Sequence, residues 1–345
     1  LAIEDEGRSC KDIDESACAE EPGNFSRHVS ALSLTKTADG LIDPKLVLSW
    51  LMTQVGAGSG LIGLLVPIRE AGALLPQLFT AGALRRLPQR KWAWSAGAAL
   101  QGLMALMMVA TALFAPEAAA PLLILMALLI LALARSVCSV CYKDVLGKTV
   151  AKSHRGTATG LASSIAGSAT MGFAALLILG LVDRYTLVIG AIALAGGLWL
   201  LAALIFSTLA EDKGATDGGK SAFHDAIANF TFLKTDKQLR LFIVVRALLT
   251  ATALAPPFIV AAAGQSDGSV LNTLGFFVLA SATASLVSGL IWGRLSDRSS
   301  RKVLIATGVI AGFILAGTSL ILAFDLTDLP FLLPLCLFVL MLAYQ

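Results

Sequence analysis

Gly293-Arg294-Leu295-Ser296-Asp297-Arg298-Ser299-Ser300-Arg301-Lys302 places four cations and one carboxylate within ten residues, and apolar runs of about twenty residues flank it on both sides. A short basic turn between two membrane-length segments marks the cytoplasmic side of a bilayer.

Apolar residues make up 57% of the chain and charged residues 14%, with a mean hydropathy of +0.80. A soluble domain carries roughly a quarter charged residues, so this chain has too few to build a water-compatible surface. Length alone suggests two soluble domains of about 170 residues each. The apolar content overrules that. Net charge is only +3, and its distribution matters more than its sum.

Ten segments are long and apolar enough to cross a membrane: 31–53, 61–83, 93–114, 121–142, 157–181, 186–209, 240–263, 271–292, 303–323 and 329–345. Alternate connections hold seventeen cations and the others together hold one, Arg184. That asymmetry puts the N-terminus and the basic connections in the cytoplasm of a multi-pass inner-membrane protein. The first span is polar, with Lys36, Asp39, Asp43 and Lys45. Starting it at Leu46 instead would leave too few residues for a second crossing before Arg85, and Gly56–Gly60 reads as a turn. Residues 1–30 read as a disordered acidic cytoplasmic tail, with eight carboxylates by Glu21. Both ends look truncated. Residues 210–239 read as a cytoplasmic linker, flexible from Ala210 to Lys220, with an amphipathic helix around Phe223, Ile227 and Phe230.

The basic motif recurs in degraded form at Gly82-Ala83-Leu84-Arg85-Arg86-Leu87-Pro88-Gln89-Arg90-Lys91, where Arg86 stands in place of the aspartate. The spacing G-x-L-x-D-R-x-x-R-K and its repetition six spans apart resemble the signature loops of the major facilitator superfamily. The resemblance covers nearly all of residues 31–345. It implies an all-α polytopic membrane protein built from two pseudo-symmetric six-helix halves, with ten helices present here: 31–209 as the N-terminal half and 240–345 as helices 7–10 of the C-terminal half. It also implies transport of a small solute by alternating access. The loop residues Gly82, Arg86, Arg90, Lys91, Gly293, Arg294, Asp297, Arg298, Arg301 and Lys302 are then conformational-switch positions, because contacts around Asp297 form only while the halves are closed on the cytoplasmic side.

Ionisable side chains in a bilayer core cost several kcal/mol and usually face a cavity with a partner. Besides Lys45, the spans carry Lys36, Asp39, Asp43, Arg69, Glu70, Arg135 and Arg246, candidates for a substrate and proton cavity. Five cations against three carboxylates favour an organic anion or a zwitterion, bound near Arg69, Arg135 and Arg246. Asp39, Asp43 and Glu70 are candidates for proton coupling. Leu131–Arg135 is similar to the family's helix-4 motif, whose arginine is implicated in proton relay, while Arg135 reaching to the inner interface is an equally open reading. The family's antiporter motif pairs glycines with a proline on helix 5. Gly160–Gly172 has no proline, which favours symport or facilitated transport over drug/proton antiport, the alternative function; a non-transporting membrane sensor is another. Prolines at 44, 67, 76, 256 and 257 mark expected bends.

Gly214–Ser221 fits the spacing of a phosphate-binding loop, but it follows a span rather than a strand. Cys138 and Cys141 have no neighbouring ligands in sequence and read as packing residues. No catalytic constellation, metal site, cofactor or nucleic-acid interface is expected. The expected partners are a small solute, protons and the lipid bilayer, with the protein acting as a monomer.

Overall fold

The computed structural model describes residues 15–214, 236–263, 270–324 and 331–344, and of 15–17, 78–79, 251, 270–273, 289–301 and 344 the backbone alone. The regular structure among the described residues is entirely helical. Helices α1 (Glu15–Ile42) and α2 (Val47–Gln54) form the first expected span, and α3 (Ser59–Leu74) and α4 (Gln77–Arg85) the second. Then come α5 (Lys91–Phe114), α6 (Ala120–Thr149), α7 (Lys152–Leu179) and α8 (Arg184–Ser207). Past the linker lie α9 (Lys237–Ala251), a short 3-10 turn at Thr252–Leu254, α10 (Ala255–Ala263), α11 (Val270–Ala323) and α12 (Leu332–Tyr344). The linker helix expected around 223–234 lies outside the described residues.

Six helical stretches are long and apolar enough to cross a membrane: α5, α6, α7, α8, Lys237–Ala263 and Lys302–Ala323. The first two spans are interrupted, and prolines explain where. Pro44 sits between α1 and α2, Pro76 between α3 and α4, and Pro256 follows the 3-10 turn. Pro67 lies inside α3 without ending it. The α2–α3 turn falls at Gly56, whose φ of 76° suits glycine.

The bundle carries large apolar side chains on its outside as well as in its core. Leu103, Met107, Phe114, Met126, Leu201 and Leu204 are exposed, whereas Ser49, Gln101 and Ser136 are buried. Large apolar side chains facing outward over α5, α6 and α8 need lipid as their solvent.

Two expectations require correction. The stretch 293–302 is not an irregular loop: it has helical backbone, within the helical stretch Val270–Ala323 of 54 residues. The segment contains no proline, and Arg, Leu and Lys are good helix formers. Even so, the helix cannot be straight. The Phe276 and Phe331 rings lie 5.0 Å apart, centroid to centroid. A straight helix would put residues 276 and 323 about 70 Å apart. The chain from 323 to 331 reaches at most about 29 Å. The backbone therefore doubles back within α11, and does so after Leu286, because Gly275 touches Ile178 and Leu286 touches Gly167 along α7. The side chains of Gly293, Arg294, Asp297, Arg298 and Arg301 lie outside the described residues, and Lys302 is exposed.

The second correction concerns the tail. From Glu15 onward it is helical and continuous with the first span. The buried positions Asn24, His28, Ala31, Thr35, Ala38 and Ile42 recur at helical spacing, so one stripe faces the bundle throughout. Both polar groups of the Asn24 amide are used, the nitrogen donating to the Ala210 carbonyl (3.0 Å) and the oxygen accepting from the Ala210 amide (2.9 Å). Glu21 accepts from the Ala151 amide at 2.9 Å. Acidic composition alone pointed to disorder, but these partners lie far away in sequence.

His28, three residues before the expected span, shows what that docking costs. Thr149 Oγ1 donates to the Val145 carbonyl (2.7 Å), so it accepts from His28 Nε2 (2.8 Å). Nδ1 is then left with its lone pair among the Tyr142 and Phe206 rings, with no partner among the described residues. Adding a proton there puts a charge in an apolar pocket, and burial pushes the imidazole down to about 4. The unfolded chain takes up that proton first, so stability present above pH 6.5 is lost as pH falls from 6.5 toward 4. The full difference amounts to about 3 kcal/mol. The thermal midpoint in detergent should fall between pH 7.5 and 5, and His28→Gln should flatten that dependence.

The N-terminal half is held by close helix crossings. A Cβ on Gly102 would meet the Gly196 carbonyl oxygen at 2.7 Å, so α5 and α8 approach through their backbones. Gly102→Val should lower the thermal midpoint by the equivalent of about 1–3 kcal/mol. Gly172, with open space where its Cβ would stand, should accept valine with little change.

Candidate functional site

Three titratable residues, Lys36 and Asp39 on α1 and Asp43 at the break that follows it, have different surroundings. Asp39 points toward α3 and α6. One carboxylate oxygen accepts from Arg69 Nη2 at 2.7 Å, and the other accepts from Arg135 Nη1. Side-chain exposure is 21% for Asp39, 13% for Arg69 and 30% for Arg135. A single carboxylate thus bridges two guanidinium groups, and the cluster keeps one net positive charge. Of the two readings left open for Arg135, the structure has it turned inward to Asp39 rather than out to the membrane interface.

Lys36 and Gly40 on the neighbouring face of α1, with Asp43 just past its end, line a cavity of about 360 Å³. The opposite walls are α7, through Ser163 and Thr170, and α11, through Ser281 and Ser285. The space is therefore shared between the two halves. Lys36 Nζ donates to Ser163 Oγ across it. Asp43 accepts from the Lys45 amide at 2.8 Å, which shapes the turn where the helix breaks. A Cβ on Gly40 would collide with Thr170, so glycine sets how closely α1 approaches α7.

A second cavity, of about 490 Å³, is lined by Glu70 of α3, Arg246 of α9 and Thr307 of α11. Glu70 also lies 4.0 Å from Lys45 and is 42% exposed, so that pair is weak. Arg246 was expected beside Arg69 and Arg135. It lines this separate space instead, on α9, across the cavity from Glu70 of α3. Of the seven cavity candidates, then, Asp39, Arg69 and Arg135 form one cluster, Lys36 and Asp43 line the first cavity, and Glu70 and Arg246 line the second.

The first copy of the basic motif is an ordered network. The Arg90 guanidinium donates to the Leu84 carbonyl (3.2 Å) and the Arg85 carbonyl (3.0 Å) at the end of α4, and pairs with Asp144 of α6. Glu211 accepts from the backbone amides of Arg90 (3.0 Å) and Lys91 (2.8 Å), capping the positive end of α5. Lys148 joins Asp144 (2.7 Å) to Glu211 (3.4 Å). Gly82 is buried, and Arg86 is exposed. Sequence reasoning missed Glu211, assigning it to a flexible linker. The only signal was an acidic residue directly after an apolar span, close to a basic loop. Among the described residues, no cluster of three or more metal-ligating side chains occurs, and Cys138 and Cys141 are buried.

The model of the Major Facilitator Superfamily matches residues 31–344. Among solved structures, the nucleoside transporter NupG is 14% identical, with a TM-score of 0.67 over 93% of this chain and 79% of that one. A D-xylose–proton symporter is 12% identical, with a TM-score of 0.64 and the same coverage. No curated protein sequence matches the chain.

Removing the shared carboxylate leaves two guanidinium groups facing each other. Asp39→Asn should lower the thermal midpoint by the equivalent of about 3 kcal/mol. Adding Arg135→Gln to that variant should restore part of the loss. An unchanged midpoint in Asp39→Asn would mean that the cluster does not hold α1, α3 and α6 together.

Proposed function

The chain belongs to the major facilitator superfamily, and on that premise we propose that it moves a small polar solute across the inner membrane by proton-coupled alternating access. The single observation that carries the reading is the cavity shared by α1, α7 and α11, with Lys36 and Asp43 in its wall and the Asp39–Arg69–Arg135 cluster behind it. A charged space between two helical halves is what a rocking carrier needs and what a sealed bundle avoids. A membrane transporter, rather than an enzyme, is the class to which the family and both structural neighbours belong.

Solute occupies the first cavity, since Arg69 and Arg135 are both held by Asp39. Asp43 takes the proton: it lines the solute space, and its carboxylate is not tied to a guanidinium. Glu70, half-exposed in the second cavity, is the other acid positioned for transfer. The network of Arg90, Asp144, Lys148 and Glu211 holds one end of the N-terminal half rigid while the halves rock, and the 293–302 motif meets that end when the cytoplasmic side closes. The N-terminus is cytoplasmic and the working unit is a monomer. Symport suits α7, which runs as one helix from Lys152 to Leu179 without proline. The D-xylose–proton symporter among the structural neighbours supports the same coupling.

Proteoliposomes offered a panel of organic anions, sugars and amino acids should accumulate at least one of them when the outside is acidified. Asp43→Asn with Glu70→Gln should abolish that accumulation while preserving exchange of the same solute at equal pH. Accumulation unaffected by the two amides would refute the assignment of the coupling acids.

A further inference from the structure

The second cavity brings one acid and one base to its wall without joining them. Its charged lining is Glu70 of α3 and Arg246 of α9. Among the described residues, Arg246 makes no ion pair, with Glu70 or with any other carboxylate. Glu70 lies 4.0 Å from Lys45, which is outside the lining, and its side chain is 42% exposed. So weak a pair leaves carboxylate lone pairs open to a further donor. A charge at membrane depth needs an opposite one. A monoanion in this space would satisfy Arg246 and be repelled by Glu70, and a monocation would meet the reverse. A ligand carrying both charges satisfies both walls.

Hydrogen-bond direction agrees. Thr250 Oγ1 donates to the Arg246 carbonyl (2.8 Å), Thr252 Oγ1 to the Leu249 carbonyl (2.6 Å) and Thr307 Oγ1 to the Leu304 carbonyl (3.2 Å). Each hydroxyl hydrogen is directed into its own helix, so the threonines offer the cavity lone pairs. An ammonium group has three N–H donors and no acceptor, which suits a carboxylate and such hydroxyls. A guanidinium presents paired N–H groups, the geometry that holds a carboxylate by two bonds. Aliphatic side chains, Leu74, Leu249, Val303 and Leu304, supply much of the remaining wall. The volume of about 490 Å³ falls within the usual range for small-ligand pockets.

We infer that the second cavity binds an aliphatic amino acid as its zwitterion. The carboxylate lies on Arg246, the ammonium on Glu70 and the threonine lone pairs, and the side chain against the leucines and valine. This site is separate from the cavity of Lys36 and Asp43. Its walls come from α3 in one half and from α9 and α11 in the other, so the bound ligand bridges the halves. Binding there does not depend on which solute the first cavity carries.

Calorimetric titration of the purified protein with L-leucine, isocaproate, isoamylamine and L-serine tests the assignment. Isocaproate is leucine without the ammonium and isoamylamine is leucine without the carboxylate. Serine keeps both charges but lacks the aliphatic chain. Leucine should bind at least about tenfold more tightly than each of the other three, because each lacks one kind of contact. Arg246→Gln should bring leucine down to the level of isoamylamine, and Glu70→Gln to that of isocaproate. Arg246→Lys should keep the order of the four. Isocaproate, isoamylamine or serine binding the unmodified protein as tightly as leucine would overturn the assignment, as would no binding of leucine. Leucine binding unchanged in both glutamine variants would overturn it as well. Solute accumulation in proteoliposomes reports on the transport reading separately. Leucine bound by a protein that accumulates no solute would remove transport and leave this site standing. Accumulation of a solute without leucine binding would do the reverse.

Discussion

A charge inside a lipid-facing bundle must find an opposite charge, and in this protein that requirement converges on Asp39. It receives two arginines from two other helices, one on each carboxylate oxygen. Fixing Asp39 toward α3 and α6 fixes the rotation of α1 about its axis. Lys36 and Gly40 then face α7 and α11, since they lie on the adjoining side of the same helix, with Asp43 just past its end. The cavity between the halves is thus a consequence of how one carboxylate is satisfied. Glycine at position 40 sets its width from the other direction, by letting α1 come close to Thr170.

The interruption of the first span serves the same end. A helix from Glu15 to Gln54 without a break would carry Asp43 and Lys45 around its axis in fixed register. Pro44 prevents that, and the Asp43 side chain takes up the Lys45 amide at the turn. Hydropathy rejects the segment as a span for the same reason that it matters: its polar residues are the lining of the site. The ends of the N-terminal half are governed by a different balance. There Arg90, Lys148, Asp144 and Glu211 satisfy one another and the orphan groups of α4 and α5, so the first basic motif belongs to a rigid body rather than to a loose turn.

Much of this was legible in the sequence, for identifiable reasons. Span boundaries follow apolar length, so α5 to α8 fall within a few residues of their expected positions. Prolines 44 and 76 fall at real breaks, where the missing helical donor is tolerated, whereas Pro67 stays inside α3. The inward charges were recognisable because hydropathy makes them conspicuous. Partner choice was not legible. Arg246 looked equivalent to Arg69 and Arg135, but it lines the second cavity with Glu70 and stands apart from the Asp39 cluster. Glu211 and the helix from Glu15 were hidden because their partners, the amides of Arg90 and Lys91 and the backbone at Ala151 and Ala210, lie more than a hundred residues away. The turn expected at 293–302 has helical backbone instead, in a segment without proline.

The central claim is that the two halves move against each other around the space between α1, α7 and α11. Pulsed electron–electron resonance between spin labels at Gly156 on α7 and Lys302 on α11, in proteoliposomes, measures that movement directly. The account predicts a distance distribution that shifts by several ångströms between pH 8 and pH 5, as one state of the pair gives way to another. One distribution, unchanged across pH and across every solute tested, would contradict it.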